Sequence, residues 1–123
     1  MAKSRASHRV DVIDDVIRLY RRGWFGRWRC VQRLAQADVR RIELRIIPSL
    51  VWDQVFIGFS HNADHLSMEE DDEGFNTVAD WMGERFTLLD PDWRQSAHDF
   101  ITENPLTGTD ILLWSDDGDG DRT

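Results

Sequence analysis

The chain has 123 residues, 41% of them hydrophobic and 31% charged, with one cysteine and a formal net charge of −8. This is the size of one domain and the composition of a folded one, which excludes a disordered polymer. A lone thiol, Cys30, excludes an internal disulfide framework and a cysteine-rich zinc site, and no apolar run approaches the roughly 18 residues of a membrane span.

Residues 8–22 are predicted to form an amphipathic helix, because Val10, Ile13, Val16, Ile17 and Tyr20 recur at spacings of three and four. Ser7 would cap its start. Asp11, Asp14 and Asp15 lie early and Arg18, Arg21 and Arg22 late, as a helix dipole prefers, and Gly23 would end it. The period then changes to two. In Arg27–Leu34, Trp28, Cys30, Gln32 and Leu34 alternate with Arg27, Arg29, Val31 and Arg33. In Arg40–Ile47, Ile42, Leu44 and Ile46 alternate with Arg41, Glu43 and Arg45. Both stretches are predicted as strands, joined across Ala35–Asp38 as an antiparallel hairpin, and Pro48 stops the second.

Val55–Ser60 is uniformly apolar and is predicted as a central strand. His61-Asn62-Ala63-Asp64 is a turn by composition, with a short strand returning over His65–Met68. Helices are expected at about 74–86, burying Phe75, Val78, Ala79, Met82 and Phe86 with Trp81 beside them, and from Asp90-Pro91 onward, with Trp93, Ala97, Phe100 and Ile101 as the apolar stripe. Thr109–Trp114 reads as a last strand. The expected fold is therefore α+β: an antiparallel sheet of four to five strands packed by three helices, in the order α-β-β-β-β-α-α-β, as a single domain over 1–114. Residues 115–123 are expected to be an acidic disordered tail.

Charge is unevenly distributed. Residues 1–50 hold 12 Lys+Arg against 5 Asp+Glu, and residues 51–123 hold 3 against 18. Such asymmetry points either to a charged partner or to two halves that neutralise each other on packing. Two surfaces follow. Glu69, Glu70, Asp71, Asp72 and Glu73, with Asp80 and Glu84 on the next helix, would steer a basic partner; as the solvated start of a helix they would do no more than favour its dipole. Arg21, Arg22, Trp24, Arg27 and Arg29 interleave cations with aromatics, the mixture that binds nucleic acid or a membrane surface, although Trp24 and Phe25 at a helix–strand junction would instead enter the core.

No catalytic motif is present: the nucleophile elbow, the phosphate-cradling glycine loop and the metal-binding HExxH helix are all absent, so no enzyme, cofactor or metal is expected. His61 and His65 sit four apart but in turn and strand context. Asp117, Asp119 and Asp121 resemble the opening of a calcium loop that lacks its closing residues. Cys30 on a strand is a small hydrophobe. The N-terminal residues 1–7 are basic with no apolar run after them, so a secretory signal is not expected and a reducing, cytoplasmic setting is.

Over residues 50–114 the chain runs Val51-Trp52-Asp53-Gln54-Val55, an apolar strand, an acidic step, Gly74-Phe75, Trp81, Phe86 and Pro91-Asp92-Trp93. This layout resembles small uncharacterised bacterial proteins, some of which look like immunity proteins neighbouring polymorphic toxins. The resemblance implies a small, acidic, cytoplasmic protein that binds and neutralises a cognate toxin, a basic protein or nuclease. A phage-encoded inhibitor of a host defence complex, an anti-CRISPR-like mimic of DNA charge, suits the same size and acidity, and a nucleic-acid-binding module built on the arginine–aromatic segment is the alternative of a different class.

Overall fold

The computed structural model of the chain describes residues 8–49, 51 and 53–116. Nine elements run in the order β1 (His8–Ile13), β2 (Val16–Arg22), β3 (Trp28–Ala35), β4 (Arg41–Ile47), β5 (Gln54–His61), β6 (Asp64–Glu69), α1 (Phe75–Arg85), α2 (Trp93–Glu103) and β7 (Thr109–Ser115), with a 3-10 turn at Gln36–Asp38. The strands form two antiparallel sheets, one of order β1-β2-β3 and one of order β6-β5-β4-β7. Among the described residues the fold is α+β, as expected, with two helices instead of three and two sheets instead of one.

The missing helix is the largest correction. Residues 8–22 form the β1–β2 hairpin, with Val10 opposite Leu19 and Val12 opposite Ile17. The segment satisfies both periods, and its β-branched content decides between them: Val10, Val12, Ile13, Val16 and Ile17 pack better on a pleated sheet than against a helical turn. Asp14 and Asp15 both take positive φ, 53° and 61°, as a two-residue hairpin loop of the primed type requires and as aspartate tolerates. Ser7, the expected cap, lies outside the described residues.

The second correction concerns partners. β3 pairs with β2, not with β4, which lies between β5 and β7 in the other sheet. The stretch Ala35–Asp38 therefore carries the chain from one sheet to the next. A bulge at Leu19/Tyr20 leaves Val31 as an extra residue and reverses the parity of β3. Gln32 and Leu34 share the core-side face, whereas Trp28 and Cys30 lie on the outer face with Tyr20 and Arg22.

The helices and the last strand fall where the sequence puts them. Phe75, Val78, Ala79, Trp81, Met82 and Phe86 are buried, as are Trp93 and Ala97, with Phe100 and Ile101 packed against the core. The expected cap of α2 differs in detail: Asp92 occupies the cap position, while Asp90 accepts the Asp92 N–H at 3.0 Å and the Ser96 hydroxyl at 2.7 Å. The expected tail begins later than residue 115, because Ser115 closes β7 and Asp116 pairs with Arg40 at 3.1 Å. Residues 117–123 lie outside the described residues.

One apolar core joins both sheets and both helices, with Ile42, Leu44, Ile57, Phe59, Leu66, Phe75 and Leu113 at its centre. The three-stranded sheet is fastened to α1 by backbone and side chain. The Val10 N–H donates to the Glu73 carbonyl at 2.8 Å, the Glu73 N–H to the His8 carbonyl at 3.3 Å, and Trp81 Nε1 to Asp15 at 3.0 Å. Gly74 follows at φ 88°, and a Cβ there would collide with the Val10 carbonyl oxygen. Gly74→Ala is therefore expected to combine backbone strain with a steric clash and to cost about 3 kcal/mol or more. Thermal unfolding followed by circular dichroism should show a midpoint lowered by about 10 °C; an unchanged midpoint would mean that α1 is not seated by this contact.

Candidate functional site

Among the described residues, the β2–β3 hairpin reaches one residue pair, Arg22 opposite Trp28, and its closing loop beyond His8 of β1; this hairpin is the arm. Its loop follows from glycine placement. The Gly26 N–H donates to the Gly23 carbonyl at 3.0 Å, the Gly23 N–H to the Arg27 carbonyl at 2.8 Å, and Gly26 takes φ 78°. This is a β-turn followed by a left-handed residue, a common three-residue hairpin closure, and it needs glycine at the last position. Gly23, read from sequence as the end of a helix, instead opens this turn. Trp24 and Phe25 are its two central residues, so their side chains leave the ladder altogether and stand 99% and 93% exposed. The expectation that they enter the core fails because they sit at the apex of a hairpin, not at a helix–strand junction.

The arm is also uniformly basic. Residues 16–37 hold six arginines, Arg18, Arg21, Arg22, Arg27, Arg29 and Arg33, and no acid or lysine. Among the described residues none of the six forms an ion pair. Arg21 is opposite Arg29, and Arg22 is opposite Trp28 with its guanidinium 4.5 Å from the ring centroid. One row further in, Tyr20 is opposite Cys30 and Arg9, whose guanidinium lies 5.8 Å from the tyrosine ring. Next on the same face, Asp11, Arg18 and Arg33 stand in register, and Asp11 Oδ1 and Arg18 Nε are buried without a hydrogen-bond partner. All five arm residues singled out from sequence, Arg21, Arg22, Trp24, Arg27 and Arg29, thus lie on one hairpin, with Arg21 and Arg29 on the face opposite to Arg22. Tyr20 was missed, because helical spacing assigned it to a buried face.

The acidic residues are arranged differently. The run 69–73 is not the open start of a helix but a tight turn from β6 into α1, and four of its five side chains are engaged within the protein. Glu69 accepts Gln54 Nε2 at 3.2 Å, and Glu70 pairs with Arg94 at 3.0 Å and His98 at 3.1 Å. Asp72 accepts the Glu69 N–H at 2.8 Å, and Glu73 pairs with Arg9 at 3.7 Å. Asp71, Asp80 and Glu84 are exposed. Asp80 and Glu84 line a cleft of about 740 Å³ beside α1 and α2, whose wall Arg85 and Arg94 share, so its charge is mixed. His61 and His65, the candidate metal pair, bond to Asn62 and Ser60. No group of three or more metal-ligating side chains occurs among the described residues, and no helix among them is long and apolar enough to cross a membrane.

Burial raises the pKa of both Glu69 and Asp72. For Glu69 the Gln54 hydrogen bond opposes the shift and the Asp72 and Asp71 charges add to it. For Asp72 the Glu69 N–H and His8 oppose it and Asp71 adds to it. A folded pKa above the unfolded one means that the ionised group destabilises at neutral pH, and that this penalty fades as pH falls through the raised pKa. Asp72→Asn keeps an acceptor for the Glu69 N–H and removes the charge. Urea denaturation should find it at least as stable as the parent at neutral pH, with any advantage shrinking in the acid range. A variant clearly less stable at neutral pH would show that the ionised carboxylate holds the turn.

No protein-family model, curated protein or solved structure matches the chain. The aromatics that carry the immunity-protein resemblance, Phe75, Trp81, Phe86 and Trp93, are all buried core residues. Trp52 lies outside the described residues.

Proposed function

We propose that the chain is a nucleic-acid-binding module that captures its ligand with the β2–β3 arm. The observation that carries this function is the almost complete exposure of Trp24 and Phe25 between unpaired arginines. Each large apolar side chain left in water forgoes roughly 1.5–3 kcal/mol of burial, a cost that a partner recovers on binding. The chemistry of that partner follows from the side chains. Guanidinium groups neutralise phosphates with release of counterions, and aromatic faces stack on bases whatever their sequence. The net charge of −8 does not forbid this. Glu73 lies beside Arg9 in the row of Tyr20, and that row is four residues from Trp24, about 13 Å along a strand, which exceeds the Debye length of about 8 Å at physiological salt.

Neutralisation of a basic partner, as by an immunity protein or a phage-encoded inhibitor, would draw on Asp71, Asp80 and Glu84, a smaller surface than the acidic run implies because Glu69, Glu70, Asp72 and Glu73 have internal partners. No observation favours it over the arm.

Fluorescence anisotropy of labelled oligonucleotides, read across salt concentrations, tests the arm. Trp24→Ala and Phe25→Ala should each weaken binding by about 1–3 kcal/mol, and Arg27→Ala should lower the log–log salt slope by about 0.7. None of the three should move the thermal midpoint, since these side chains are exposed. Absence of binding at low salt, or binding indifferent to Trp24→Ala and Phe25→Ala together, would dismiss the proposal. Capture of anionic vesicles in place of nucleic acid would make the arm a membrane anchor instead.

A further inference from the structure

We infer that the arm takes single-stranded and not duplex nucleic acid, over a short footprint that runs from the tip along the outer face of the three-stranded sheet and ends at Tyr20. This rests on the nucleic-acid function proposed above and names its ligand class and its extent. Beyond Trp24 and Phe25, the bulge at Val31 brings Trp28 and Tyr20 to one face of the sheet, in successive rows. Rows on one face of a strand are two residues apart, about 6.6–6.8 Å. Trp28 carries Arg22 at 4.5 Å and Tyr20 carries Arg9 at 5.8 Å, so each ring comes with a cation beside it. Aromatic platforms alternating with guanidinium groups match a strand whose bases are unstacked and whose phosphates repeat along it.

A duplex offers no such match. Its base faces are covered by their neighbours, its grooves expose donor and acceptor edges, and wedging a ring between base pairs costs a few kcal/mol per step. The arm presents ring faces at its apex; its arginines could reach guanine edges, but residues 20–30 hold no Asn or Gln with which to read adenine. The inner limit of the footprint is the last ring. The row after Tyr20 holds Asp11, Arg18 and Arg33 and no aromatic side chain, so stacking ends there. Four platforms, Trp24, Phe25, Trp28 and Tyr20, give a footprint of about four bases at one base each.

The test uses the whole chain with labelled thymidine oligonucleotides of two, four, six and eight residues and a twelve-base-pair blunt duplex, all at one salt concentration. Affinity should climb steeply from two residues to four and little beyond, and the duplex should bind at least about tenfold more weakly than the eight-mer. Tyr20→Ala should weaken the eight-mer by about five- to 150-fold, as the loss of one stacked base would, while Tyr20→Phe, which keeps the ring and the packing, should stay near the parent. Equal binding of duplex and single strand overturns the inference. So does an affinity indifferent to Tyr20→Ala and Trp28→Ala in a chain still sensitive to Trp24→Ala, which would leave the nucleic-acid function standing with contact at the tip alone. Failure to bind either polymer overturns both.

Discussion

The backbone contact between Val10 and the Glu73–Gly74 step holds the rest of the arrangement in place. It lets a strand and the entry to a helix approach more closely than any side chain would allow, and two hydrogen bonds and a left-handed glycine fix it. The contact also occupies part of the β1 edge of the three-stranded sheet with the Glu73 backbone, where another strand could otherwise pair. Asp15 adds a second fastening at the opposite end of β1, through Trp81 at 3.0 Å and Arg85 at 3.2 Å. β1 is thus fastened at two points, to the turn before α1 and to α1 itself, while the tip of the β2–β3 hairpin is exposed.

Charge is then sorted by use. Four of the five carboxylates in the turn before α1 are engaged in ion pairs and hydrogen bonds, and two of them are buried enough to be held against their preference for water. The arginines of the hairpin have no such employment. The sequence asymmetry therefore has two causes. Acids and bases do neutralise each other between the halves, at Arg9–Glu73, Arg40–Asp116 and Arg45–Asp110, but the arm is left out of that exchange.

Most of the elements were legible from pattern alone: β5, β6, both helices and β7 follow from apolar runs, helical spacing and turn residues. What misled was the first twenty residues, where Val10, Ile13, Val16, Ile17 and Tyr20 match a helix while Val10, Val12, Ile17 and Leu19 match two strands. A pair of aspartates suits a helix start as well as a hairpin loop, and Gly23 suits a helix end as well as a turn. The bulge at Val31 has no compositional signature, because it is a mismatch between two strands and not a property of either. The candidate site inherited the same ambiguity. Its arginines and Trp24 stand out in the sequence, but whether an aromatic points in or out depends on what surrounds the turn, and that was the element misassigned.

The turn between Gly23 and Gly26 makes no demand on the two residues it carries. Their side chains are almost wholly exposed, so the core is indifferent to their identity, and under the proposed function folding and recognition would be separately encoded at this position. Such a loop is a natural graft point. A different pair of residues between the same two glycines would change what the loop presents to solvent while the scaffold beneath it stayed as it is.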